Sequence, residues 1–306
     1  ADLLHVVVRW TVEAGDNLAT LQGIADAIRA TPCKAPISMV VTDAAAFERQ
    51  MNAGAGKSAH AAVLLSDVTT GKEARLLLDA AERSGHEGWP LYVIAAGVGG
   101  PQAPSHAMQQ VLANLAAGAA STGLNASLLY DAKKNAMGEA FVALSGLSRR
   151  LGAREHAGNL NLATSVSAPL FRDGASWVLA LWSEGAAKDV PVPVSGATGL
   201  TLTDSWGNPV GLPEAKDGVL PVPTSAMPVL LSGTGGNLLT DAARNKAVNT
   251  ARRLLDDKSL QRWLAPEVRT LAQAVADRKG ELDRSSTLAL LRMLPELEKQ
   301  WHAGKL

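Results

Sequence analysis

Trp177-Val-Leu-Ala-Leu-Trp182 sends successive side chains to opposite faces, with Trp177, Leu179 and Leu181 on one side, and that two-residue period is the mark of a β-strand. Working outward, Leu200 to Thr203, Val219 to Val222 and Val229 to Ser232 read as further strands. Asp204-Ser-Trp-Gly-Asn208 reads as a turn between them, because Gly207 and Asn208 tolerate positive φ. Most of the prolines fall in or beside this stretch, at loops and strand edges where a missing N–H costs little. Ser165 to Gly233 is therefore expected to be a small antiparallel β-domain.

Upstream the period changes. Short runs of Val, Ile and Leu, at His5 to Trp10, Ile37 to Thr42, Ala61 to Ser66, Leu91 to Ala95 and Ala126 to Tyr130, alternate with longer helical stretches. The helices are expected near Asn17 to Ala30, Ala44 to Met51, Gly71 to Ser84, Ser105 to Ser121 and Gly138 to Leu151. Near-continuous apolar strands between helices imply a parallel sheet, either part of a barrel or an open sheet.

Downstream, Gly233-Thr-Gly-Gly236 reads as a flexible joint leading into a helical tail. Val268, Leu271, Ala272 and Val275 form a helical stripe, Pro266 suits a first helical position, and Gly280 suits a stop. A last helix is expected through Leu288, Leu291 and Leu294, restarted by Pro295. The fold class expected is thus α/β, partial TIM-barrel-like or open parallel sheet, followed by an antiparallel β-sandwich and an α-helical tail. Domain boundaries follow at 1–155, 156–235 and 236–306.

Composition narrows the classes. With 47% of its 306 residues apolar, the chain has ample core material and is not expected to be disordered. Its 29 basic and 29 acidic residues cancel, and no basic run appears, which argues against a nucleic-acid partner. The single cysteine, Cys33, excludes an internal disulfide and a cysteine zinc cluster. No apolar run approaches the roughly 18 residues of a membrane span. A first residue of Ala rather than Met fits a processed or trimmed product, such as one that has lost a secretory signal.

Motifs for cofactors are weak. Gly54-Ala-Gly-Lys-Ser58 looks like the end of a P-loop, but Met51 stands where its first glycine belongs, and the segment follows a helix rather than a strand. Gly97-Val-Gly-Gly100 does follow a strand, yet Pro101 and Pro104 spoil a phosphate cradle, and a glycine turn is the better account. His5, His60, His86, His106, His156 and His302 make no HxH or HExxH spacing, so neither a metal nor a cofactor is expected. Ser145 lies inside an expected helix, outside any Gly-x-Ser-x-Gly elbow.

Carboxylates remain. Glu13, Asp43, Asp67 and Asp131 all follow expected strands, the ends at which parallel sheets build sites. Glycoside hydrolysis needs two such groups, roughly 5 to 10 Å apart. Acids after strands are also common helix caps, so Asp43, Asp67 and Asp131 are weak catalytic candidates.

Pro169 to Ser183, reading Pro-Leu-Phe-Arg-Asp-Gly-Ala-Ser-Trp-Val-Leu-Ala-Leu-Trp-Ser, is similar to the start of the β-sandwich that follows the barrel in clan A glycoside hydrolases. The likeness continues through Leu202-Thr-Asp-Ser-Trp-Gly-Asn-Pro-Val210 and ends at Met227-Pro-Val-Leu-Leu-Ser-Gly233, about 65 residues in all. This resemblance implies that Trp89 to Gly97 is the seventh barrel strand, Leu124 to Asp131 the eighth and Gly138 to Leu151 the last barrel helix. Five strands are too few to close such a barrel. The family carries its nucleophilic glutamate at the end of the seventh strand, where this chain has Ala95, and no Asn-Glu pair matches the general acid.

The resemblance therefore implies a glycoside-hydrolase-like chain without catalysis of its own, binding a polysaccharide or glycan or serving as a structural subunit. Trp206 is the candidate sugar-stacking residue, against the plainer reading that it covers an edge. An active glycoside hydrolase using strand-end carboxylates is the alternative, as is a purely structural protein self-associating or binding a protein through 236–306. A secreted, periplasmic or cell-surface location is expected.

Overall fold

The computed structural model describes residues 6–9, 17–31, 37–66, 71–86, 89–95, 103–124, 129–131, 134–256 and 266–277. Five parallel strands, β1 (Val6–Arg9), β2 (Ile37–Val41), β3 (Ala61–Ser66), β4 (Leu91–Ala95) and β5 (Ser121–Leu124), lie side by side in chain order. The helices α1 (Asn17–Arg29), α2 (Ala44–Asn52), α3 (Lys72–Arg83) and α4 (Ala103–Ala117) join them. Each crossover steps the same way, so right-handed connections place the helices on one face. Ile37, Met39, Leu64 and Val93 of the sheet accordingly share a core with Leu21, Phe47 and Leu77 of the helices. A doubly wound sheet reverses its strand order and opens a crevice at the reversal. This order never reverses, so the nucleotide-type crevice of an open doubly wound sheet has no place here.

The fifth strand is not where the apolar run at Ala126 to Tyr130 places it. It is Ser121–Leu124, largely polar and half-exposed, and among the described residues it pairs only with β4. Helix α4 stops at Ala117, with Gly118 at φ +106, and the chain enters the sheet three residues later. Tyr130–Asp131 (β6) instead pairs with Ala136–Met137 (β7) in a short antiparallel hairpin before α5 (Glu139–Leu151). Of the expected eighth barrel strand over Leu124 to Asp131, Leu124 closes β5, Tyr130–Asp131 form β6, and residues 125–128 lie outside the described residues.

The chain divides within α5 into two compact units, Ala1–Leu147 and Ser148–Leu306. In the second, β8 (Glu155–Asn159), β9 (Val166–Ser167), β10 (Pro169–Asp173), β11 (Ser176–Ser183), β12 (Lys188–Pro193), β13 (Ala197–Asp204), β14 (Pro209–Val210), β15 (Val219–Thr224) and β16 (Val229–Gly235) form antiparallel sheets. The larger runs β14-β13-β16-β11-β10-β8, with β9 also on β11; β12 and β15 make a separate ribbon. The antiparallel region thus begins at Glu155, ahead of Ser165, since β8 is an edge strand carrying little apolar signal.

Trp177, Leu179 and Leu181 point as their alternation requires, into a core with Val192, Leu220 and Leu231. Trp182, on the opposite face, is buried as well. The expected flexible joint is held in place: β16 runs on to Gly235, whose N–H donates to Ala175 O and whose carbonyl accepts from Trp177 Nε1 at 2.7 Å. A side chain at Gly233 would meet the Trp177 ring at 2.6 Å.

The ribbon is a guarded one. Val194 N–H donates to Gly218 O, continuing a register of Val192 with Leu220 and Val190 with Val222. Even-numbered residues therefore bond across the ribbon, and odd-numbered ones face outward. Pro191, Pro193, Pro221 and Pro223 occupy outward positions, where no N–H is left to recruit another strand.

The tail begins with α6 (Leu238–Asp256), which packs on β8 and contributes Leu238 and Ala242 to the sandwich core. The approach is close: a Cβ on Gly158 (φ +146) would stand 2.3 Å from Ala242 O. Helix α7 (Pro266–Asp277) packs on α6, burying Ala272 and Val275 against Ala247 and Ala251. Gly280, Leu288, Leu291, Leu294 and Pro295 lie outside the described residues. No described helix is long and apolar enough to cross a membrane.

Candidate functional site

The C-terminal ends of β1–β5 are where a parallel sheet presents chemistry. Asp43 stands just after β2, but its carboxylate is the N-cap of α2, accepting from Ala46 N–H at 2.7 Å and from the Thr42 hydroxyl at 3.1 Å. The bond from the Ala46 N–H, more than any other influence, holds this exposed carboxyl below the usual range. It therefore stays ionised while it caps α2, and the hydrogen bonds it accepts come from Ala46 and Thr42.

Asp131 lies in β6, its backbone paired with Ala136 in the hairpin; its side chain falls outside the described residues. Glu13, Asp67, Cys33 and Gly97-Val-Gly-Gly100 also lie outside them. Ala95 is the last residue of β4, with its backbone in register between Ser66 of β3 and Leu124 of β5.

Gly54 to Ser58 is not a phosphate cradle. Its amides are used locally, Lys57 N–H bonding Gly54 O and Ser58 N–H bonding Ala55 O. The Lys57 and Ser58 carbonyls accept from Arg29 Nη2 at 3.2 and 3.3 Å. Gly56 packs closely under His86: a Cβ there would come 2.7 Å from the ring and push it aside. That ring stacks edge-on against Trp89, and burial pushes its basicity down, so it behaves as an aromatic plug at the start of β4. His60 Nδ1 accepts from Ile37 N–H at 3.4 Å. Among the described residues no three His, Cys, Asp or Glu side chains cluster as a metal site.

Trp206 occupies the turn between β13 and β14. Asp204 clamps that turn, accepting from Asn208 N–H at 2.8 Å and Asn208 Nδ2 at 3.0 Å, while buried Ser205 donates to Pro228 O at 2.6 Å. Gly207 takes φ +90 as the turn requires. The indole is half-buried, unlike Trp177, which is fully enclosed.

One surface escaped the sequence reading. Tyr130 and Met137 face each other across the β6–β7 hairpin, 41% and 61% exposed, and Phe141 and Val142 follow in α5 at 38% and 47%. Tyr130 hydroxyl bonds Asn135 Oδ1, bracing the hairpin. The signal was present as apolar residues too closely spaced around polar Lys134-Asn135 to be one strand.

No protein-family model matches the chain, and no curated relative matches it. Among solved structures, a family 39 glycoside hydrolase from the gut symbiont Bacteroides cellulosilyticus superposes with a TM-score of 0.56 at 12% identity, over 71% of this chain and 54% of that one. A family 30 subfamily 8 xylanase from Clostridium acetobutylicum follows at a TM-score of 0.49 and 11% identity, over 71% of this chain and 59% of its own. The chain therefore has a glycoside-hydrolase-like fold, of a parallel α/β sheet followed by antiparallel sheets and helices. It spans about half the length of the family 39 structure.

Proposed function

We propose that this chain is a non-catalytic relative of glycoside hydrolases that binds polysaccharide. The observation that carries the reading is Ala95, the residue that closes β4 at the position where the resemblance expects a nucleophilic glutamate. A methyl group neither attacks an anomeric carbon nor offsets positive charge on an oxocarbenium ion. The fold likeness supports the carbohydrate class, and the Asp43 carboxylate is engaged in capping α2. Trp206 supplies the ring for a sugar to stack on, held by the Asp204 clamp. A secreted or cell-surface location goes with such a ligand.

The test is a titration of a polysaccharide panel followed by tryptophan fluorescence, with an aryl-glycoside assay alongside. The expected outcome is a saturable change with one glycan class, lost in Trp206→Ala, and no turnover. Silence toward every glycan counts against the reading, and turnover abolished by Asp131→Asn replaces it with an active hydrolase.

A further inference from the structure

The β6–β7 hairpin holds an aromatic ring in water and braces it there. Gly138 N–H donates to Leu129 O at 2.8 Å, and Tyr130 is in register with Met137. Antiparallel pairs alternate, so Tyr130 and Met137 form a pair with no backbone bonds between them, the kind whose Cα atoms stand closest, at about 4.5 Å. Their side chains therefore lie together on one face of the hairpin. Both are exposed. The Tyr130 hydroxyl donates to Asn135 Oδ1, and Asn135 takes φ +49 in the loop. The ring is thus held at both ends, by its own backbone in β6 and by its hydroxyl on the loop. A side chain fixed in this way has little rotamer freedom left to lose when a ligand arrives. Asn135 is exposed, and accepting at Oδ1 leaves its Nδ2 to donate. Phe141 N–H donates to Gly138 O at 3.0 Å, which keeps the first turn of α5 close behind the hairpin. Leu129 follows Leu124 by five residues, so the hairpin starts within roughly 18 Å of the sheet end at which parallel folds build their sites.

We infer that this hairpin is a sugar-binding subsite: the C–H face of a pyranose stacks on the Tyr130 ring, beside the Met137 thioether, and a ring hydroxyl accepts from Asn135 Nδ2. An aromatic face with one amide at its rim matches a ligand that is apolar on its ring faces and polar around its edge. The inference rests on the reading of the chain as a polysaccharide binder. It adds a platform in the first unit, separate from Trp206 in the second.

The test uses the full chain with its methionine methyl groups carbon-13 labelled, and cellohexaose, xylohexaose and maltohexaose as probes. The Met137 methyl signal should move saturably with at least one hexasaccharide, while those of Met39 and Met108, both fully buried, stay in place. Tyr130→Leu keeps the apolar bulk and removes the ring face; it should weaken that binding about tenfold by calorimetry. Tyr130→Phe keeps the face and frees it from Asn135, for a loss of about threefold. Circular dichroism of both variants should match the wild type. Failure of all three probes to bind the wild type removes the polysaccharide reading and this inference with it. Binding that is weakened by Trp206→Ala, yet leaves the Met137 methyl unmoved and is unchanged in Tyr130→Leu, keeps that reading and overturns the subsite. Equal losses in Tyr130→Leu and Tyr130→Phe overturn stacking. A Met137 signal that moves with protein concentration in the absence of sugar assigns the surface to self-association and equally overturns it.

Discussion

In the β12–β15 ribbon the outward positions hold Pro191, Pro193, Pro221 and Pro223, whereas in β5 they hold Thr122 and Leu124. Both elements end a sheet and both are paired on one side only. The ribbon can stay single because its backbone has few donors to offer, and its buried Val190, Val192 and Leu220 secure it from one face. The parallel sheet has no such protection and leaves its ladder open. An edge with free donors is completed by another strand or remains a liability.

The largest effects test whether the two sheets stand on separate cores. Trp177 is fully buried, and its indole N–H is bonded to Gly235 O. Trp177→Ala should cost about 4 to 5 kcal/mol through lost packing and an orphaned carbonyl. Phe47, fully buried among helix and strand residues of the first unit, should cost about 3 to 4 kcal/mol as Phe47→Ala. Native-state hydrogen exchange reads both: the first should speed β11 more than β3, and the second the reverse. Equal acceleration of both strands in either variant breaks the distinction.

Legibility followed the same divide. β11 was plain from Trp177-Val-Leu-Ala-Leu-Trp182 because a strand buried between sheets must carry apolar residues at both phases. β2, β3 and β4 were equally plain, each flanked by helices and covered. The edges were not. β5 is largely polar because it is half in water, and β8 for the same reason. Sequence reasoning equates apolar with strand, and that rule weakens where burial is one-sided. Among candidate site residues, Asp43 was readable as acid after strand, which fits a cap and a catalyst alike. The structure shows the cap in the 2.7 Å bond from Ala46 N–H, which no local sequence pattern specifies. Trp206 was placed in its turn correctly, since Gly207 required it, but its half-burial depends on contacts no local pattern encodes.

Asp43 gives a smaller effect that sharpens the first unit's side of the comparison. Asp43→Ala should lower stability by about 1 kcal/mol at neutral pH, the usual loss for an N-cap. Its carboxyl ordinarily titrates at 3.8 and is lowered in the fold. The cap's contribution is thus complete above that ordinary value and disappears as pH falls through the lowered native one. Thermal melts of the wild type and variant should differ at neutral pH and converge in strong acid, below the lowered native value. A gap that persists unchanged in acid means the carboxylate charge is not what stabilises α2.

The smallest thermodynamic effect comes from the prolines, and it decides what they are for. Pro191 and Pro193 are exposed or half-exposed, their partners Pro221 and Val219 are exposed too, and none bonds across the ribbon. Replacing both with threonine, a residue at home in strands, should therefore move the melting stability by less than about 1 kcal/mol. It also restores two outward N–H groups to an edge that had none at those positions. The double variant should fold as before yet associate beyond the wild-type mass in a light-scattering concentration series, with the added species growing steeply with concentration. An unchanged mass for Pro191→Thr/Pro193→Thr would show that the ribbon is kept single by its twist or side chains. The contrast with β5 would then rest on something other than proline.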